Sequence, residues 1–242
     1  MTALNLLTLE GVQTHIGAYH ILHGVDLAVP KGQLTMLLGR NGAGKTTTLR
    51  TIMGLWHASQ GRVRFADKDI TALQTPQIAG LGIAYVPENM GIFSDLTVKE
   101  NMLLAARGAK NAGQIDDTRL KWIFKLFPAV EKFWNHPAGK LSGGQKQMLA
   151  VSRAIVEPRE LLLIDEPSKG LAPVMINNMI DAFAELKRSG VTILLVEQNI
   201  NFAQRLGDNV AVMDNGRVVH SGSMAAFSAD AQLQQSLLGL AL

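Results

Sequence analysis

Gly39–Thr47 reads GRNGAGKTT, directly after the apolar run Leu34–Leu38 and directly before Thr46–Met53, a stretch of helical character. Gly39, Gly42 and Gly44 keep side chains away from a run of backbone N–H groups, which can then wrap phosphate oxygens at a helix N-terminus. Lys45 adds a point charge for the β and γ phosphates, and the Thr46 hydroxyl is a hard oxygen suited to Mg²⁺. Arg40, Asn41, Ala43 and Thr47 complete the candidate nucleotide-binding stretch. By average residue usage, the G-x4-G-K-[ST] pattern arises in roughly one chain in a hundred of this length. A strand before it and a helix after it argue against a bare glycine-rich turn with an exposed lysine.

Working outward, short β-branched and leucine-rich runs at Leu6–Glu10, Val25–Val29, Leu34–Leu38, Arg62–Phe65 and Ile83–Val86 read as strands. The next three segments, Thr97–Arg107, Asp116–Phe127 and Gly144–Val156, carry apolar residues at helical spacing and read as a helical insert over about 88–158. Thr97 with Glu100, and Ser142 with Gln145, have the form of capping boxes at two of these helix starts. Strand character returns at Leu161–Asp165, Val191–Glu197, Val210–Met213 and Val218–His220, alternating with helical stretches at Val174–Arg188 and Ile200–Leu206. The pattern predicts an α/β fold with a mostly parallel core sheet, and an N-terminal antiparallel β subdomain formed by the early strands that lack intervening helices.

The parallel sheet gives LLLIDEP its meaning. Asp165 and Glu166 fall at the end of the strand Leu161–Ile164, and strand C-terminal ends line the crevice where such sheets bind ligands. Asp165 can hold Mg²⁺, and Glu166 is placed to orient or deprotonate an attacking water. The same pair could instead cap the helix that starts after Pro167. Together with the phosphate loop, the catalytic reading is preferred.

Composition narrows the chemistry further. The 242 residues are 47% hydrophobic and 18% charged, ordinary for a globular chain, and a net charge of +3 gives no reason to expect a nucleic-acid partner. The absence of cysteine removes disulfides, thiolate nucleophiles and Cys-based metal sites. The N-terminal MTALNLLTLEGVQTH lacks the marks of a signal peptide, so export is not expected. Apolar runs stop far short of the roughly 20 residues that span a bilayer, so any membrane role is expected to act through a partner. The six histidines show no metal-ligand context and read as surface or packing groups. Met148, Met175 and Met179, on the helical stretch Gln147–Met179, read as apolar fillers.

Leu141–Gln145 reads LSGGQ, which resembles the signature motif of the ATP-binding cassette (ABC) family; the phosphate loop upstream and the Asp-Glu pair downstream match that family's order across nearly the whole chain. The resemblance implies a P-loop NTPase cassette, one ATP-binding domain over 1–242, with ATP and Mg²⁺ as its cofactors. It implies that Leu141, Ser142, Gly143, Gly144 and Gln145 clamp the γ-phosphate held by a second cassette, head to tail. At the family's lid position, usually glutamine, YVPEN places Glu88, a further candidate metal ligand; at the switch position, usually histidine, LLVEQN places Gln198 as a catalytic residue beside Glu166. With PSKGLAP, QMLAVSRAI and DLTVKENMLLAAR, these features are similar to the ATPase subunits of branched-chain amino acid importers.

That group usually carries a small residue and basic residues after the lid glutamate, where this chain has Asn89, Met90 and Gly91, in the segment where the family docks its membrane subunit. The family's adenine-stacking aromatic aligns near His15 and Ile16, and Tyr19 is the nearby aromatic. Arg40 and Lys169 are unusual charges near the site and are expected to be solvated. The implied partners are transmembrane permease subunits, a second ATP-binding subunit, identical or related, and indirectly a solute-binding protein. The implied place is the cytoplasmic face of the membrane. Alternatives are the ATPase of a urea or short-amide importer, a soluble cassette acting on DNA or ribosomes, and a regulatory module without turnover. The chain shows neither the inserted coiled coil nor the second cassette of the soluble relatives, and intact Lys45, Asp165 and Glu166 argue against the last.

Overall fold

Leu34–Leu38, Leu161–Ile164 and Ile193–Val196 are apolar almost without interruption, a pattern that demands burial on both faces of a sheet. The computed structural model describes residues 4–106 and 114–239. The chain opens with β1 (Asn5–Ile16), β2 (Tyr19–Pro30) and β3 (Leu34–Gly39), then α1 (Lys45–Ile52), β4 (Ala58–Phe65), β5 (Lys68–Asp69), α2 (Thr75–Gly80) and β6 (Ile83–Val86). Helices α3 (Val98–Ala105), α4 (Asp117–Leu126), α5 (Pro128–Lys132) and α6 (Gly143–Ala154) come between β6 and β7 (Leu161–Asp165). The chain continues through α7 (Pro173–Arg188), β8 (Thr192–Glu197), α8 (Ile200–Leu206), β9 (Asn209–Asp214), β10 (Arg217–Ser223), α9 (Met224–Ala229) and α10 (Ala231–Leu238).

The larger sheet has the order β10-β9-β3-β8-β7-β6, parallel from β9 to β6 with β10 antiparallel at its edge. The smaller one, β2-β1-β4-β5, is antiparallel throughout. Alternate residues of the central strands feed two cores. Met36, Leu38, Leu162, Ile164, Ile193 and Leu195 pack on the helical side; Leu37, Leu161, Leu163, Leu194 and Val196 pack toward α1 and the small sheet. The large sheet is therefore a middle layer, and polar side chains can gather only where its strands end.

Both expected capping boxes are present, at Thr97 and Ser142. The last residue of the expected helix Thr97–Arg107 lies outside the described residues. The first hairpin is longer than the sequence reading: β1 runs on to Ile16 and β2 starts at Tyr19, closed by Gly17 at φ +59°. Register shifts at Leu9/Val12, Val12/Gln13 and Thr14/His15 interrupt the alternation by which a strand is read. The stretch Gln147–Met179 is not one helix: β7 lies within it, so Met148 is on α6 while Met175 and Met179 are on α7. Strand β5 and helices α2, α5, α9 and α10 are short elements without a distinct period, and the sequence reading did not include them.

Buried Asn101 on α3 pins the loop that leads into this helix. Its Nδ2 donates to the carbonyls of Phe93 and Thr97, both at 3.0 Å, and its Oδ1 accepts from Phe93 N at 3.1 Å. Replacing it by leucine, similar in size but without partners for these groups, should lower the unfolding free energy by about 1–3 kcal/mol. Urea denaturation followed by circular dichroism measures this, and an unchanged midpoint would show that the loop is held by other contacts.

Candidate active site

The phosphate loop joins β3 to α1, whose N-cap is Gly44 at φ +102°. A Cβ there would sit 2.9 Å from Leu22 Cδ2, so both the dihedral angle and the packing require glycine. Lys45 is only 5% exposed, and its ammonium donates to the carbonyls of Gly39 and Arg40 at 2.9 and 3.1 Å. Burial pushes its pKa down, against the opposing charges of Glu166 and Asp165. The nucleotide's phosphates would add to that opposition.

Asp165 ends β7 directly across from the loop. Its Oδ1 accepts from Thr46 Oγ1 at 3.1 Å and its Oδ2 from the Tyr85 hydroxyl at 3.3 Å. Burial raises the pKa of its carboxyl, and burial followed by the nearby Asp165 charge pushes Tyr85 up to about 12. Thr46 and Asp165 thus present adjacent hard oxygens, which fits a Mg²⁺ ion completed by phosphate and water oxygens. Among the described residues no group of three His, Asp or Glu side chains forms a protein-only cage.

Glu166 adopts φ +47°, rare for a residue with a side chain, and such a backbone costs about 1–3 kcal/mol. It is held by the bond from its N–H to Val196 O at 3.0 Å and by the partners of its carboxylate. Oε1 accepts from Gln198 Nε2 and lies 3.7 Å from Lys45 Nζ; Oε2 lies 3.5 Å from Lys169 Nζ. Gln198 Nε2 also donates to Asn41 Oδ1 at 2.7 Å, which links the phosphate loop to the ends of β7 and β8. Asn41, Lys45, Thr46, Glu88, Glu166 and Lys169 line one cavity of about 360 Å³. Lys169 is not merely solvated, since its ammonium bonds the Glu88 carboxylate as well.

Leu141–Gln145 do not line this cavity. Ser142 caps α6, accepting from Gln145 N at 3.4 Å, while Gln145 Oε1 accepts from Ser142 N at 2.9 Å. The two glycines differ in purpose. Gly143 faces open space, whereas a Cβ on Gly144 would come within 2.6 Å of Met175 Cε, so a side chain there would displace the tip of Met175 where α6 packs against the start of α7.

A family model described as "ABC transporter" matches residues 22–169, more than half the chain. The chain belongs to the ABC transporter family. It is 38% identical to the high-affinity branched-chain amino acid transport ATP-binding protein BraG of Pseudomonas aeruginosa, over 97% of this chain and all of the relative. It is 37% identical to the probable branched-chain amino acid transport ATP-binding protein LivF of Archaeoglobus fulgidus, over 84% of this chain and 86% of that one. Among solved structures it is similar to the ADP conformation of an ATP-binding cassette of an ABC transporter, with a TM-score of 0.81, 27% identity, and coverage of 98% of this chain and 100% of that one. The parallel-rich core, antiparallel N-terminal sheet and ATPase activity expected from the sequence are those of this family.

Near the position where the family's adenine-stacking aromatic aligns, Tyr19 is 75% exposed at the hairpin tip. Beside it His15 and His20 stack with ring centroids 4.1 Å apart, and His23 stands 4.1 Å from His20. Desolvation, followed by repulsion from His20, Arg217 and His15, lowers the pKa of His23. Arg40 does not line the phosphate cavity; its guanidinium lies against Gly239, at the end of α10.

Sequence reasoning missed Glu197, the buried residue just before Gln198. Its Oε1 accepts from Ser168 N at 2.9 Å, and its Oε2 accepts from Gln198 N at 3.0 Å and Asn199 N at 3.2 Å. Burial raises the pKa of this carboxyl, and the three N–H groups work against that shift. One side chain thereby clips the turn carrying Glu166 to the turn carrying Gln198. The acid at the end of an otherwise apolar strand was a signal, because such a residue must find partners. Replacing Glu197 by alanine leaves one buried and two half-buried donors without this acceptor. The unfolding free energy should fall by about 2–4 kcal/mol, and Glu197→Gln should fall less. Denaturation of both variants tests the ranking; equal stability with wild type would remove the clip from the architecture.

Proposed function

We propose that this chain is the ATP-hydrolysing subunit of an importer for branched-chain or other hydrophobic amino acids. It works as one of two cassettes that close head to tail around two ATP molecules, on the cytoplasmic face of the membrane. The observation that carries the solute class is its 38% identity with BraG across 97% of the chain. The two-cassette reading is supported by the signature turn, exposed at Ser142 and Gly143 yet absent from the lining of its own phosphate cavity.

In this reading the backbone of Gly39–Thr47 and Lys45 hold the phosphates. Thr46 and Asp165 hold Mg²⁺, with Glu88 a further candidate; the ion offsets phosphate charge when bound. Glu166 orients the attacking water and takes its proton. Gln198, anchored on Asn41, keeps that carboxylate in place. Fixed polar groups aimed at developing charge are what phosphoryl transfer requires. Ser142 and Gly143 act on the nucleotide of the other cassette.

The segment of about 88–158 serves as the helical subdomain. No helix among the described residues is long and apolar enough to cross a membrane. Coupling to transport therefore runs through permease subunits, with a solute-binding protein acting on them in turn. The seat we assign to the permease is a groove of about 750 Å³ lined by Leu55, Trp56, Tyr85, Met90, Arg153 and Arg159.

Three variants separate the roles. Lys45→Ala should abolish measurable Mg-ATP binding by calorimetry. Ser142→Arg should bind nucleotide as a monomer with wild-type affinity but fail to hydrolyse it; equal loss of monomer affinity would place the signature in its own pocket. Glu166→Gln should slow hydrolysis by about 10²-fold or more and accumulate an ATP-bound dimer on size-exclusion chromatography. Uptake of leucine, isoleucine or valine by vesicles holding the reconstituted transporter tests the solute, and ATP-driven uptake of urea alone would overturn the amino-acid assignment.

A further inference from the structure

Lys169 sits on the turn after β7, and its ammonium bridges two carboxylates from separate parts of the chain. It bonds Glu88, 81 residues away on the segment after β6, and lies 3.5 Å from Glu166, three residues before it. The other oxygen of Glu166 faces Lys45 at 3.7 Å. Glu88, Glu166, Lys45 and Lys169 all line the phosphate cavity, and Asp165 stands behind Thr46. Three carboxylates therefore surround the place of a polyanion, and among the described residues Lys45 is the only other ammonium lining the cavity.

As stability elements these contacts matter little. The side chains of Lys169 and Glu88 are 58% and 44% exposed, and ion pairs in that setting add little to stability. Their electrostatic setting matters more. A glutamate at residue 88 adds a negative charge to a pocket that must admit phosphates, and Lys169 lies against it. We propose that Lys169 is the counter-charge that lets this carboxylate-rich pocket accept nucleotide before Mg²⁺, and so sets how strongly ATP binding depends on the metal. This rests on the ATP-site reading above. Metal-free ATP carries two more negative charges than Mg-ATP, so loss of a nearby ammonium weakens the metal-free form more. At distances of about 5 Å in a partly solvated pocket, the difference amounts to roughly tenfold. Salt should shrink it.

Calorimetric titration of the full chain with ATP in excess EDTA and with Mg-ATP, both in about 0.1 M salt, tests this. The ratio of metal-free to Mg-bound Kd should rise roughly tenfold in Lys169→Met and stay near wild type in Lys169→Arg. It should return toward wild type when Glu88→Gln is added to Lys169→Met, through tighter metal-free binding and not through weaker Mg-ATP binding, because the charge to be balanced is then gone; a return carried only by weaker Mg-ATP binding would make Glu88 a metal ligand and overturn the pairing. A loss of affinity equal for both forms, or an unchanged ratio, overturns the counter-charge role while leaving the ATP site intact. Wild-type protein that binds neither form would overturn the nucleotide site itself and this inference with it.

Discussion

Strands β3, β7 and β8 are buried on both faces, and from this constraint the rest of the structure follows. Their backbone groups are satisfied within the parallel ladder and their side chains fill two cores, so no charged group can sit within their length without a partner. Chemistry is displaced to where the strands stop. Gly39 ends β3, Asp165 ends β7 and Glu197 ends β8. Adjacent strands that stop at the same level bring these residues together without any direct sequence relation. The Thr46–Asp165 hydrogen bond spans 119 residues of chain, and the Gln198–Asn41 bond spans 157.

What was legible in the sequence is what depends on local pattern. The apolar runs gave the central strands, the Thr97 and Ser142 boxes gave two helix starts, and the glycine spacing gave the phosphate loop. The long first hairpin was not legible, because its register shifts destroy the period a strand is read by. Nor was the division of the Gln147–Met179 stretch, where apolar strand and apolar helix residues follow one another and composition alone does not separate them. In the site, the motif residues could be named but their mutual contacts could not. The Lys169–Glu88 bridge joins residues whose proximity is set by the sheet order, and Glu197 was hidden beside a more conspicuous neighbour.

Two residues of the site show how one position can satisfy two demands. Gly144 belongs to a helix start that leaves Ser142 and Gly143 exposed, yet its own lack of a side chain leaves the space that Met175 on the next helix fills. Glu166 bears the carboxylate aimed at the phosphate loop, yet its backbone also makes the left-handed turn by which the chain leaves β7. That conformation is unfavourable in isolation. It persists because Val196, Gln198, Lys45 and Lys169 all constrain the residue, and the same constraints fix the carboxylate's direction. Strain and placement are here a single arrangement.

Gln198 completes that arrangement in a way that an ionisable residue would not. The two neighbours it bonds, the Glu166 carboxylate and the Asn41 amide oxygen, are both acceptors, and a primary amide has two hydrogens on one nitrogen to give them. A neutral imidazole has one N–H. It could serve both acceptors only after taking a second proton, and it would then bring a positive charge that depends on pH. The amide does the same work at constant charge. In a cavity where Lys45 and Lys169 already face Glu166, a further cation would compete for the same carboxylate and weaken it as a proton acceptor. A neutral double donor positions Glu166 without that penalty, so in the mechanism proposed above placement falls to Gln198 and proton transfer to Glu166.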